Sequence, residues 1–229
     1  WNIPTDATVP ERTKEKVSPL LNRLREEKEA KLSGGIYHRT QIDFTYNSNH
    51  IEGSKLTHEQ TRYIFETNTI GITDESVNVD DIVETINHFR CIDYIIDHAG
   101  DQLTESMIKG LHIILKSGTS DSRKSWFNVG EYKRLPNEVG GKETCPPEGV
   151  HKEMKNLLTH YKGIKTKTIE NIIDFHCQFE RIHPFQDGNG RVGRLIMFKE
   201  CLRYDVMPFI LDDKSRTQYL AGIQDWPSD

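Results

Sequence analysis

Apolar residues recur at three- and four-residue intervals along most of this chain, a pattern that predicts helices joined by short polar turns. Residues 1–17 lack such a period and carry Pro4 and Pro10, so an extended arm is expected there. Ser18 and Pro19 then read as an N-cap and first helical position. Leu20, Leu21, Leu24 and Leu32 give that helix an apolar edge, Glu27 and Lys31 are spaced as an ion pair, and Gly34 and Gly35 stop it. The charge run from Arg25 to Lys31 reads as a solvated face. A second helix is expected from Ile36 to Gly53, with Ile42, Tyr46 and Ile51 near helical spacing, and Thr57 to Gln60 reads as a capping box opening a third.

Two core stripes follow. Ile82, Val83, Ile86, Phe89, Ile92, Ile95 and Ile96 run to Gly100, and Thr104 caps a helix to Lys116 bearing Ile108, Leu111 and Leu115. His88, His98 and His112 read as surface or satisfied core histidines. Residues 120–149 break the period: Trp126 to Lys133, Gly140-Gly141 and Pro146-Pro147 read as loop with a β-hairpin, the alternative being an ordinary connection. A lone hairpin offers an edge on which an extended peptide can dock. Helices are then expected at Glu148 to Tyr161, at Thr168 to Ile182, and from the next turn to about Tyr204, where Val192, Leu195, Ile196 and Leu202 are inward. Pro208 breaks the pattern before a last helix, about Lys214 to Ile223, that carries Tyr219. His176 and Cys177 suggest zinc, but no fourth ligand has suitable spacing.

The turn at 183–194 carries the chemistry: His183-Pro184-Phe185-Gln186-Asp187-Gly188-Asn189-Gly190-Arg191-Val192-Gly193-Arg194. Gly188 and Gly190 can take φ > 0 and leave backbone N–H groups uncovered as an anion nest. A helix starting near Arg191 would add its positive dipole end, and Arg191 and Arg194 would project from one side of it. Asp187 suits a hard cation such as Mg²⁺, and His183 is the local group able to take a proton near neutral pH. A helix C-terminus beside His183 would favour its protonated form. Residues 188–193 also spell G-x-G-x-x-G, but a dinucleotide site needs a preceding strand, and a helical segment stands there. No Gly-Lys-Ser/Thr follows for a Walker loop, and Val192 and Phe198 stand where a calcium loop needs Gly and Glu. The plain alternative is a polar turn followed by a solvated helix face.

The twelve residues resemble, without a mismatch, the signature H-x-F-x-[D/E]-G-N-G-R-x-x-R of the Fic family, whose members mostly transfer AMP from ATP to protein hydroxyls. The resemblance implies that His183 is the base and that Asp187 binds Mg²⁺. Gly188, Asn189, Gly190 and Arg191 would cradle the α- and β-phosphates, Arg194 would grip the γ-phosphate, and Phe185 and Tyr219 would complete the nucleotide site. For Tyr219 an ordinary core or surface place is the other reading. Ser48 to Gly53 fits the family's inhibitory motif [S/T]-x-x-x-E-[G/N], which implies that Glu52, with Ser48, holds Arg194 and blocks productive ATP binding. By spacing alone Glu52 is an ordinary surface carboxylate. Family members also carry a target-docking flap, here near Arg134 to Val139.

The implied fold is all-α, a Fic-type helical bundle with a β-hairpin flap and an N-terminal helical extension. Its parts are an arm and helix at 1–35, an inhibitory helix region at 36–78 and a catalytic core at 79–229. Composition narrows the partners. Net charge is −5 with no basic face, which argues against sequence-independent nucleic-acid binding, and no apolar run is long enough for a membrane helix. No signal peptide stands out, and four scattered cysteines suit a reduced, cytoplasmic protein. The expected partners are ATP and a hydroxyl-bearing protein target, and the reading admits a homo-oligomer and self-modification. Transfer of UMP or a γ-phosphoryl group, or a non-catalytic nucleotide sensor, are the other readings. Phosphorylating relatives carry Lys where Gly190 stands.

Overall fold

The computed structural model describes residues 18–71 and 76–226, so the arm expected at 1–17 lies outside them. The described residues form nine α-helices and one two-stranded antiparallel sheet. The helices are α1 (Pro19–Ala30), α2 (Ile36–Ile51), α3 (His58–Thr67), α4 (Val79–His98), α5 (Glu105–Lys116), α6 (Pro147–Gly163), α7 (Ile169–Ile182), α8 (Asn189–Arg203) and α9 (Arg216–Asp225). The cap signals act as the sequence suggests. Ser18 caps α1, Thr57 and Gln60 form the capping box of α3, and Thr104 accepts from Met107 N–H at the start of α5.

Helix α1 departs from expectation at its end. It stops at Ala30, where Lys31 takes the left-handed conformation (φ 50) and Leu32 N–H closes on Glu27 O at 3.0 Å, short of Gly34. Glu27 does not pair with Lys31. It is buried, bonded to Arg23 at 2.6 Å, and accepts Tyr37 N–H at 2.9 Å, thereby capping α2, which has no side-chain cap of its own. A Cβ on Gly35 would lie 2.2 Å from that carboxylate. The run from Arg25 to Lys31 is therefore partly structural: Arg25 bonds Ile96 O and Lys28 bonds Asp97, tying α1 to α4. Leu32 falls off the apolar edge and is exposed.

Helix α2 meets α4 through a polar ladder. Gln41 donates to Asp93 at 2.9 Å, Thr45 bonds His88 at 2.9 Å and Asn49 donates to Thr85 at 3.2 Å, all from one face of α2. Buried polar groups must be paired, so this face has a strong register preference, and it delivers Ser48 and Glu52 toward α8. Helix α8 lies at the centre and is buried on all sides, from Val192 and Leu195 to Lys199 and Glu200. The main apolar cluster packs Leu24, Phe44, Ile92, Leu111, Met154 and Phe179 around it. The hairpin pairs β1 (Glu138–Val139) with β2 (Lys142–Glu143) through Gly140 and Gly141, both at positive φ (59 and 75), as a two-residue primed turn requires.

Candidate active site

Helix α7 ends where His183 takes the left-handed conformation (φ 51, ψ 60) and its N–H closes on Phe179 O at 2.9 Å. The chain thereby leaves the helix and enters the turn. Sequence reasoning grouped Phe185 and Asn189 with the nucleotide contacts; the structure gives both side chains a different task. Phe185 is fully buried, its ring stacked on His112 with centroids 4.0 Å apart, and it anchors the turn in the core. Asn189 is buried too, accepting Phe185 N–H at 2.7 Å and donating to Phe185 O at 2.8 Å, a clasp that closes the loop. The backbone N–H groups are what remain for an anion. Val192 N–H is the first at this terminus to close within the helix, on Gly188 O at 3.0 Å, so the N–H groups of 189–191 stay outside the helical ladder.

The two glycines differ. Gly188 sits at φ 81 as the residue before α8, a conformation that favours glycine. Gly190 is helical, because α8 begins at Asn189 and not at Arg191; it is small for room, since a Cβ there would lie 2.1 Å from Glu52 Oε1. The Glu52 carboxylate thus occupies the first turn of α8. Its Oε1 bonds Arg194 Nη2 at 2.6 Å. Arg194 is buried and further donates to Ser48 Oγ at 3.0 Å, Ser48 O at 2.9 Å and Tyr219 OH at 3.4 Å. Burial works to raise the pKa of Glu52, but the guanidinium groups of Arg194 and then Arg191 outweigh it and hold the carboxyl below its usual range. Tyr219 also bonds His176 at 2.8 Å and walls an apolar pocket of about 190 Å³ with Ile173, Met197, Leu211 and Ile223.

Arg191 does not reach free toward a ligand. It is buried, pairs with Glu84 through Nη1, and meets Asp187 Oδ2 at 3.4 Å. Asp187 Oδ2 also accepts from Lys116 at 2.7 Å. Burial would raise the Asp187 pKa, yet Arg191 and Lys116 bring it down to about 2. Among the described residues no group of three or more His, Cys, Asp or Glu gathers to cage a metal ion. Asp187 nevertheless suits Mg²⁺: it is ionised, its side chain is 50% exposed, and this ion is commonly held by one carboxylate together with substrate phosphates. Glu84 and Lys116 went unnoticed in the sequence, where one follows Asp80 and Asp81 near the start of α4 and the other is the last residue of α5.

His183 lies inside this wall. Its Nδ1 is 3.3 Å from Glu180 O, and because a carbonyl only accepts, Nδ1 carries the proton and Nε2 keeps its lone pair. The helix dipole was expected to favour protonation; burial first, and then the charge of Lys133, dominate and lower the pKa to about 4. Lys133 is itself buried, donating to Asn137 at 2.7 Å, Thr144 at 2.5 Å and Ile182 O at 3.3 Å. It pins the hairpin to the end of α7, as does Asn137, which donates to Phe185 O at 3.1 Å. Both strands are exposed, which leaves an edge open above the turn.

Burial sets a pH dependence of stability. An ordinary histidine titrates near 6.5, whereas burial lowers His112 to about 4 and His176 to about 3, and pushes His88 well down. With His183, four rings stay neutral in the fold while the unfolded chain takes up protons below pH 6.5, so stability falls as pH drops. The loss is on the order of 1 kcal/mol per pH unit for each ring. Glu180 opposes it, since burial raises its pKa to about 8 and its contribution is lost as pH rises toward that value. Four rings outweigh one carboxyl, so the urea midpoint is expected to be lower at pH 5 than at pH 7. An equal midpoint would mean that these rings are not held neutral.

A helix–turn–helix with free N–H groups at its turn, buried arginines and a buried imidazole suits a phosphate-bearing ligand, and comparison with known proteins finds likenesses to one family. Residues 102–201 match the Fic/DOC family model. The chain is 27% identical over 183 residues to Protein adenylyltransferase Fic of Drosophila grimshawi, covering 76% of this chain and 35% of that protein. It is 26% identical over 193 residues to Protein adenylyltransferase fic-1 of Caenorhabditis elegans, covering 80% and 36%. A Fic domain containing signaling protein from Bacteroides thetaiotaomicron superposes with a TM-score of 0.71 at 28% identity, over 89% of this chain and 80% of that one. The chain is thus similar to Fic proteins in residues 102–201 and shares their helical fold with a small hairpin, and it spans about a third of the length of the curated relatives it matches.

Proposed function

We propose that this chain is a protein adenylyltransferase that moves AMP from ATP to a Ser, Thr or Tyr hydroxyl of a protein target. The observation that carries the reading is one turn holding both an unprotonated imidazole, His183, and an anion-binding helix terminus backed by Arg194. Binding a phosphate alone requires no base; transfer to a hydroxyl does. The adenylyltransferase names of the relatives above support the same choice.

In this reading the N–H groups at the start of α8 and Arg194 fix the phosphates, and the apolar pocket beside Tyr219 receives the base. The target backbone pairs with the open hairpin edge, which brings its hydroxyl over His183. Nε2 takes the hydroxyl proton as the oxygen bonds the α-phosphorus; the bond from that phosphorus to the bridging oxygen breaks, and pyrophosphate leaves. Mg²⁺ at Asp187 would supply charge neutralisation on the phosphates. Catalysis is then mostly positioning and charge stabilisation. The contact of Glu52 with Arg194 supports the further reading that the enzyme is autoinhibited. The test is label transfer to the chain itself and to proteins of a lysate, using ATP radioactive at the α- or the γ-phosphate. Label from the α position alone is the expected result. Label from the γ position would make the chain a kinase, and none from either in the Glu52→Gly variant, where the inhibiting carboxylate is gone, would end the adenylyl reading.

A further inference from the structure

We propose that Lys116 and Glu84 are positioning residues of the nucleotide site, holding Asp187 and Arg191 in a closed ring of alternating charge so that Asp187 presents its open side to a divalent cation. The proposal rests on the reading of Asp187 as the residue that binds the cation.

The ring runs through three helices. Glu84 Oε1 on α4 meets Lys116 Nζ, the last residue of α5, at 2.5 Å; Lys116 Nζ meets Asp187 Oδ2 at 2.7 Å. Asp187 Oδ2 meets Arg191 Nη2 at 3.4 Å, and Arg191 Nη1 returns to Glu84 Oε2. Two cations and two anions thus alternate in a circuit. Asp121 adds a third carboxylate on Lys116 at 3.0 Å and is itself paired with Lys124 at 2.6 Å. The main chain of Asp187 is fixed from the same side. His112 Nε2 bonds Asp187 O at 3.1 Å while its Nδ1 accepts Gly130 N–H at 2.8 Å, which sets one tautomer.

Exposure makes the arrangement directional. The side chains of Lys116, Arg191 and Glu84 are 2%, 6% and 13% exposed, against 50% for Asp187. Solvent therefore reaches the ring mainly at the carboxylate expected to hold the cation. Both ion pairs of that carboxylate fall on Oδ2, so its rotation is fixed before any ligand arrives. A group that orients a metal ligand from behind typically changes metal affinity by about 10- to 100-fold when removed. Arg191, expected to cradle phosphate, is by this account first a strut of the ring.

The test reads cation binding and not transfer. Free Mn²⁺ is followed by electron paramagnetic resonance as it is titrated into the chain with ATP, in a Glu52→Gly background. Lys116→Met is expected to weaken Mn²⁺ binding by about tenfold or more, a larger change than in ATP affinity measured in chelator. Added to Asp187→Asn, it should change Mn²⁺ binding no further, a coupling that general destabilisation would not produce. Lys116→Met leaves three carboxylates facing one another, so Glu84→Gln, which keeps its shape, is measured beside it and should shift Mn²⁺ binding in the same direction. Equal effects of Lys116→Met with and without Asp187, or unchanged Mn²⁺ binding in Glu84→Gln and Lys116→Met, would overturn the proposal. If the parent chain binds no ATP, the failure belongs to the nucleotide reading.

Discussion

Glu52→Gly is expected to raise the initial rate of AMP transfer at limiting ATP by roughly 10- to 150-fold. The figure follows from a charge-assisted hydrogen bond of about 1.5–3 kcal/mol that a γ-phosphate must displace to reach Arg194. Competition is direct, because the carboxylate fills the space against Gly190 as well as the guanidinium. The variant should fold. Helix α2 is held by Gln41, Thr45 and Asn49 against α4, and Glu52 lies beyond its last turn, followed by Gly53 at φ 101. Glu52→Gln should fall between parent and Glu52→Gly, since a neutral amide keeps the shape and loses most of the attraction. The check is the initial rate with α-labelled ATP, together with the ATP concentration giving half the maximal rate. Equal rates for parent and Glu52→Gly would mean that this contact does not inhibit.

How far the site could be read from the chain depended on sequence distance. His183, Asp187 and the arginines were legible because twelve adjacent residues carry their chemistry together, and the caps of α1, α3 and α5 because a cap acts within three residues. Glu52 on Arg194 joins residues 142 apart in sequence and was found only through its motif. Glu84 and Lys116 have no such motif, and their partners lie up to 107 residues away. Two side chains also have structural tasks that local reading did not supply: Asn189, whose backbone N–H stays available to an anion, and Glu27, which looked like a surface charge, each satisfy backbone N–H groups that a turn or helix start leaves unpaired. That need becomes visible once the neighbouring segment is placed. Helix α8 was legible as a buried helix from Val192, Leu195, Ile196 and Leu202, but its cover on all sides, which reaches Lys199 and Glu200, leaves no amphipathic period to read.

His183→Ala is expected to lower the transfer rate by about 10²- to 10⁴-fold, the usual worth of a placed general base, in the Glu52→Gly background where transfer is large enough to follow. ATP affinity should stay within about twofold, because in the proposed mode the phosphates rest on α8 and Arg194 and not on the imidazole. A sensor would keep its function in this variant; a transferase keeps only its affinity. The pH dependence gives a second reading of the same group. Burial and Lys133 place the titration of His183 near 4, so the base form exists throughout the neutral range and the rate should be flat as pH falls from 7 to 5. Loss begins only as pH approaches the folded value. Lys133→Met removes a cation whose field disfavours protonation, so the acid limb should move to higher pH, toward that of an ordinary histidine. The folded fraction has to be followed alongside, since the neutral rings destabilise the fold over the same interval. A rate that halves near pH 6.5 while the chain remains folded would show that His183 titrates normally and that its burial does not tune it.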